Sequence, residues 1–140
     1  YCAVALEVEV NPASGHVRVV RAVASADSGH IVNPDGVSNQ IEGGLIQSLS
    51  WTLKEQVHFD DTQVLSSDWA SYPILGFSEA PPIEVVLINR PGAPFLGTGE
   101  ASQGPTGAAL ANAVFDATGV RYRELPLTPQ RILDGLKKSS

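Results

Sequence analysis

Methionine is absent from the 140 residues, cysteine occurs once, and aromatic side chains make up only 6% of the chain. The single thiol, Cys2, excludes an internal disulfide and leaves the redox compartment open. It reads as an inert strand residue, not a nucleophile. Basic residues are also scarce: nine Lys and Arg against fifteen Asp and Glu give a formal charge of −6. They are scattered from Arg18 to Lys138 with no stripe, which argues against a nucleic-acid partner. No apolar run approaches the ~20 residues that cross a bilayer, and no basic stretch followed by an apolar one opens the chain, so neither a membrane segment nor a signal peptide is read here. The missing methionine and the opening Tyr1-Cys2-Ala3, which reads as mid-strand, lead us to expect a piece of a larger protein. Localisation stays open between cytoplasm and periplasm.

What is present suits one folded domain over residues 1–140, with 43% apolar and 17% charged residues and enough length for a sizeable core. Residues 3–10 alternate, Val4, Leu6, Val8 and Val10 on one face and Glu7 and Glu9 on the other, which predicts a half-buried strand. The turn Asn11 to Gly15 leads into a β-branched run from Val17 to Ala24, so the two form a hairpin. Val37, Ile41, Leu45, Leu49 and Leu53 recur every four residues and predict a helix over 37–53. A short hairpin (57–59 with 63–65), an irregular connection over 66–82 and a third strand over 83–89 follow. The alanine-rich stretch 105–118 reads as a helix buried on most sides and closed by Gly119. Thr128-Pro129 opens a short last helix, 130–136, with a frayed tail over 137–140. These elements make the expected fold α+β: a hairpin and further strands in an antiparallel or mixed sheet, two main helices packed on it and a short C-terminal helix. We expect an exposed apolar patch along 66–82.

The stretch Gly97-Thr98-Gly99-Glu100-Ala101-Ser102-Gln103-Gly104-Pro105 sets one carboxylate among glycines just before a helix. Glycines at 97 and 99 permit positive φ and close approach, and a helix N-terminus offers free N–H donors. An ordinary glycine-rich turn with a solvated Glu accounts for the spacing equally well. Gly43-Gly44, inside the predicted helix, costs about 1 kcal/mol per glycine against alanine. Either a flat ligand approaching the backbone or close helix packing on the sheet would explain the pair. No metal motif is present, since His16, His30 and His58 lack partners at ligand spacing. Nor is there a nucleophile elbow, a phosphate loop or a dinucleotide fingerprint.

The run Asp27 to Pro34 followed by Gln40-Ile41-Glu42-Gly43-Gly44-Leu45-Ile46-Gln47, and then Gly97-Thr98-Gly99-Glu100 with Ala111 to Gly119, in this order, resembles the C-terminal part of the molybdopterin-binding subunit of the xanthine dehydrogenase and aldehyde oxidase family. Glu79-Ala80-Pro81-Pro82-Ile83-Glu84-Val85 is most similar to the isoquinoline 1-oxidoreductase and nicotinate dehydrogenase-like branch. The resemblance runs from about Val17 to Leu133. It implies a C-terminal fragment of a larger molybdopterin-binding subunit, with Gln40, Gly43, Gly44 and Gly99 at the cofactor and Glu100 as general base. The implied reaction hydroxylates a carbon of an N-heterocycle or aldehyde, with water as oxygen source. A base buried beside an apolar substrate would have its pKa raised by desolvation. Gln47-Ser48 departs from the family's usual Gln-Gly and weakens any role assigned to that turn, and Asp27 and Asn33 match positions that cap the loop before the helix. The resemblance also implies the remainder of the subunit and an iron–sulfur domain or subunit as partners, with the isolated chain inactive and cofactor-free.

Two other readings stay beside it. One is a non-catalytic assembly or binding module of the same fold, against which stands the presence of both Gln40 and Glu100. The other is a carboxylate hydrolase pairing Glu100 with Asp116 or Glu79, which requires a second carboxyl within roughly 5–10 Å.

Overall fold

A computed structural model describes residues 1–139, in the element order β1 (Cys2–Val10), β2 (Val17–Asp27), α1 (Pro34–Leu53), β3 (Ile83–Ile88), α2 (Gln103–Thr118) and α3 (Pro129–Ser139), with one 3-10 turn at Phe77–Glu79. The fold is α+β. β1 and β2 form the expected antiparallel hairpin, and β3 joins β2 in parallel, with Ala22 opposite Ile83 and Asp27 opposite Ile88. The sheet is therefore mixed, in the order β1-β2-β3. α1 lies in the β2–β3 crossover, as parallel neighbours require a long connection.

The core forms where α1 meets β2. The period of four puts Ile41, Leu45, Leu49 and Leu53 on one stripe of α1, and all four are buried. They pack over Val17, Val19, Ala22, Ala24 and Ala26, the inward side chains of β2. Each buried Leu or Ile contributes about 1.5–3 kcal/mol, and the helix that lies close along the sheet is α2, against β1. The β1–β2 register shifts at Glu7/Val8, with Arg21 opposite Glu7 and Val19 opposite Val8. Val20 is the extra residue of this bulge, which keeps both valines and alanines of β2 on the core side. Leu110 and Val114 of α2, Leu127 just before α3 and Ile132 within it close the core. The outward face carries exposed Glu7, Glu9, Arg18, Arg21 and Glu84. Its ion pairs Arg18–Glu9 (2.7 Å) and Arg21–Glu84 (2.6 Å) are more than half exposed and contribute little.

Several expectations are corrected. The 57–59/63–65 hairpin shrinks to one bridge, Phe59 with Val64, because Asp60 Oδ1 accepts from the amides of Thr62 and Gln63 and curls the chain into a turn. β2 runs on to Asp27 and α1 starts at Pro34. α2 begins two residues before Pro105, since a proline in the first turn lacks only an N–H that has no helical partner. It is not buried on most sides: only Thr106, Leu110 and Val114 are buried, and Phe115 is 39% exposed. Residues 137–139 continue α3 instead of fraying, while Ser140 lies outside the described residues. The apolar exposure expected along 66–82 is present, with Trp69 76% and Phe77 fully exposed.

Candidate functional site

The site is assembled at the N-terminal end of α1 by two loops. Asn33 caps the helix, its Oδ1 accepting from the Gly36 amide at 3.0 Å, with Pro34 at the first helical position. Just upstream, Asp27 accepts from the Gly29 amide (3.0 Å) and from Arg90 Nε (3.0 Å). The Gly29 N–H, with Arg90 behind it, holds this carboxyl below the usual carboxylate range. Gly29 adopts φ 74°, and a Cβ there would stand 1.9 Å from Pro94 O, so only glycine lets the segment after β3 lie across this loop. The Leu96 amide then donates to Ser28 O at 3.0 Å, and Arg90 N to Gly29 O at 2.9 Å. These bonds carry the chain back over the sheet edge and deliver residues 97–100 to α1.

There the two helices lock together. Ser102 Oγ donates to Ile41 O at 2.8 Å, and Ser48 Oγ to Gln103 O at 2.8 Å. Gln103 Nε2 donates to Gln47 Oε1, also at 2.8 Å. A Cβ on Gly44 would stand 2.6 Å from Ser102 Oγ and 3.8 Å from Gly99 O, so the bare backbone of α1 is what admits the 99–103 turn. A Cβ on Gly99 would lie 3.8 Å from Gln40 Oε1. Gly99 is thus brought beside Gln40 and Gly44, from positions some sixty residues apart, with Glu100 next to it in the chain.

Gly43 and Gly44 differ in their surroundings, and the close packing is against the 99–103 turn, not the sheet as expected. Gly44 is buried helix packing, whereas Gly43 is exposed, with no atom within 4 Å of its added Cβ, and Gly97 likewise faces open space. Neither Gly97 nor Gly99 uses the positive φ open to it; that conformation belongs to Gly15, Gly29, Gly92 and Gly119. The glycines of the turn serve proximity instead of backbone reversal. Glu100 is exposed, not buried, and among the described residues its carboxylate has no hydrogen-bond or ion-pair partner. A shallow apolar depression of about 240 Å³ borders the turn, lined in part by Val32, Val37, Phe95, Leu96 and Thr98.

The carboxylate pairings fail on distance. Asp116 lies 13 residues along α2 from Gln103, about 20 Å at 1.5 Å per residue. Glu79 is held at 2.6 Å by Lys54, which stands at the far end of α1, 14 residues and about 20 Å along the helix from Gln40. Among the described residues no group of His, Cys, Asp and Glu could hold a metal ion. Sequence reasoning missed Ser102, Ser48 and Gln103. A serine just before a helix looks like an ordinary cap, and only its long-range partner distinguishes it.

The family described as molybdopterin cofactor-binding domain matches residues 1–81. A nicotinate dehydrogenase subunit of Pseudomonas putida is 49% identical over 90% of this chain and 11% of its own length. The aldehyde oxidoreductase molybdenum-binding subunit PaoC of Escherichia coli is 33% identical over 94% of the chain and 19% of its own length. The crystal structure of quinoline 2-oxidoreductase from Pseudomonas putida superposes with a TM-score of 0.86 at 31% identity, covering 94% of this chain and 18% of that one. The chain spans less than a fifth of the length of each of these relatives. With the family match over its first half and relatives of this kind along nearly all of it, the chain belongs to the molybdopterin-binding family of xanthine dehydrogenase and aldehyde oxidase type.

Proposed function

We propose that this chain is the C-terminal domain of a molybdopterin-binding subunit, and that the longer protein is a molybdenum-dependent oxidoreductase hydroxylating an N-heterocycle or aldehyde carbon with water as oxygen source. The observation that carries this reading is the convergence of Gln40 with Gly99-Glu100 across the bare backbone of Gly44, beside an unpartnered carboxylate. The fit to the cofactor rests on the same surface. Gln40, Gly43 and Gln47 form one stripe of α1 at spacings of three and four, with open space over Gly43 and Gly97 for a flat group to reach the backbone. Side-chain amides both donate and accept, which suits a pterin's mixed edge, and the stripe carries no charge to desolvate.

In this reading Gln40 holds the cofactor through its side-chain amide, Gly43 and Gly99 let the backbone approach it, and Gly44, itself buried, seats the 99–103 turn beside them. The bound molybdopterin supplies the two-electron redox chemistry. Glu100 accepts the proton of the water that becomes the product oxygen, a task that requires it within hydrogen-bonding reach of that proton. The exposure of Glu100 in this domain means that the apolar wall closing the site comes from the remainder of the subunit. An iron–sulfur domain or subunit takes up the electrons, and the 140-residue chain alone neither turns over nor holds molybdenum. An N-heterocycle is favoured over an aldehyde because the nicotinate dehydrogenase subunit shares 49% identity, against 33% for the aldehyde enzyme's.

The test compares full-length wild type with Glu100→Gln for molybdenum content and for turnover of N-heterocycles and aldehydes with an artificial electron acceptor. Both proteins should carry molybdenum, with turnover of the variant reduced about 10²-fold to 10⁴-fold. Undiminished turnover by Glu100→Gln removes the base assignment. A wild type that binds no molybdenum favours a non-catalytic assembly module instead.

A further inference from the structure

We infer that Ser102 is a positioning residue for Glu100: its buried hydroxyl bolts the carboxylate-bearing turn to α1 one residue beyond Gln40. The inference rests on the reading of Glu100 as the base, and concerns what holds it in place. Ser102 is 1% exposed and donates to Ile41 O at 2.8 Å across 61 residues of chain. It occupies the cap position of α2, where a serine ordinarily accepts from the helix's own amides. Here its backbone is helical (φ −86°, ψ −16°) and it makes no side-chain cap bond. Thr106 Oγ1 donates to Ser102 O at 2.6 Å, tying the first turn of α2 to the same residue. The hydroxyl of Ser102 is therefore committed to the other helix.

Ahead of Ser102 the turn has little else to keep it in place. Within it the Ala101 amide reaches Thr98 O only at 3.5 Å and the Gln103 amide reaches Glu100 O at 3.2 Å, at the long end of hydrogen bonding. Gly97 and Gly99 leave the N-terminal side of Glu100 with unrestricted backbone. The position of the carboxylate relative to Gln40 is consequently set from the C-terminal side, where Ser102, two residues away, is the nearest residue bonded to α1, with the Gln103 bonds to Ser48 and Gln47 one residue beyond it. Gly44 supplies the matching gap, since any Cβ there would collide with this hydroxyl. Displacing a catalytic group by about 1 Å can cost on the order of 10²-fold in rate, so one hydroxyl bond suffices to govern turnover without touching substrate.

The experiment uses the full-length protein with Ser102→Ala, Glu100→Gln and the double variant, and measures molybdenum content, kcat, KM and amide hydrogen exchange over residues 98–104. Ser102→Ala should keep its molybdenum, lose roughly 10-fold to 10²-fold in kcat with KM little changed, and exchange faster across the turn. Because Ser102 acts through Glu100, adding Ser102→Ala to Glu100→Gln should cost nothing further, a non-additivity that a general loss of stability would not produce. Full kcat in Ser102→Ala beside a crippled Glu100→Gln overturns the positioning role and leaves the base assignment standing, and so does an additive loss in the double variant. Full turnover by Glu100→Gln overturns both. Should Ser102→Ala fail to fold, Ser102→Cys, of similar volume but a weak donor, carries the same comparison.

Discussion

Replacing Gly44 by alanine adds one methyl group in the middle of a helix, a change that by itself stabilises a helix by about 1 kcal/mol. The structure reverses the sign. The new Cβ would stand 2.6 Å from Ser102 Oγ and 3.5 Å from Gln103 Cγ. If Ser102 rotates away, its bond to Ile41 O is lost and a buried hydroxyl goes unsatisfied, at about 1–3 kcal/mol. If the helices part instead, the overpacking costs about 1–3 kcal/mol. Either route outweighs the gain in helix propensity, so Gly44→Ala should destabilise by about 1–2 kcal/mol. Gly43→Ala is the internal control: it is exposed, no atom lies within 4 Å of its added Cβ, and it should stabilise by about 0.5–1 kcal/mol. Urea titrations of the 140-residue chain should move the two midpoints in opposite directions with unchanged slopes. A Gly44→Ala midpoint at or above wild type would refute the argument. In the full-length protein the control gains a second use: if the cofactor lies over Gly43, the stabilised Gly43→Ala should hold less molybdenum.

Two further outcomes follow from particular side chains. Thr52 is fully buried and its Oγ1 has no partner among the described residues, standing 3.3 Å from where a Cβ on Gly107 would be; Thr52→Val should therefore be neutral or stabilising by up to about 1 kcal/mol in urea titration, and a loss larger than that would reveal a hidden partner for the hydroxyl. Asp27 is held below its ordinary pKa by the Gly29 amide and then by Arg90, so the folded state favours the carboxylate: its contribution is complete above the unfolded pKa and disappears as pH falls through the lowered folded value. Thermal unfolding of wild type should lose stability more steeply than Asp27→Asn below about pH 4, and parallel curves would contradict the linkage.

Every element with a local signature was legible in the sequence. The alternation of β1 and the period of four in α1 announce a strand and a helix because side-chain direction repeats every two residues or every 3.6; Gly119 and Thr128-Pro129 mark helix ends because caps act within three or four residues, whereas Asn33-Pro34, which caps α1, reads as a turn ahead of it. Boundaries slipped where proline is tolerated in a first helical turn, as at Pro105, and a hairpin was overread at 57–65, where the Asp60 side chain captures the amides that a ladder would need. The outward alanines of α2 misled because helix propensity also favours alanine at exposed positions.

The site divides in the same way. The sequence alone determined which residue types were available, a lone carboxylate between glycines and a Gln with a glycine pair, and the family pattern they spell. That Gly99 lies beside Gln40, which of Gly43 and Gly44 is packed, and that the Ser102 hydroxyl bonds Ile41 instead of its own helix were decided by tertiary structure. Those contacts join residues about sixty positions apart, and such pairings follow from how the sheet and α1 stack, not from any period within the chain. The exposure of Glu100 belongs to that level too, since burial is a property of the surfaces brought together around a side chain and not of its neighbours in sequence.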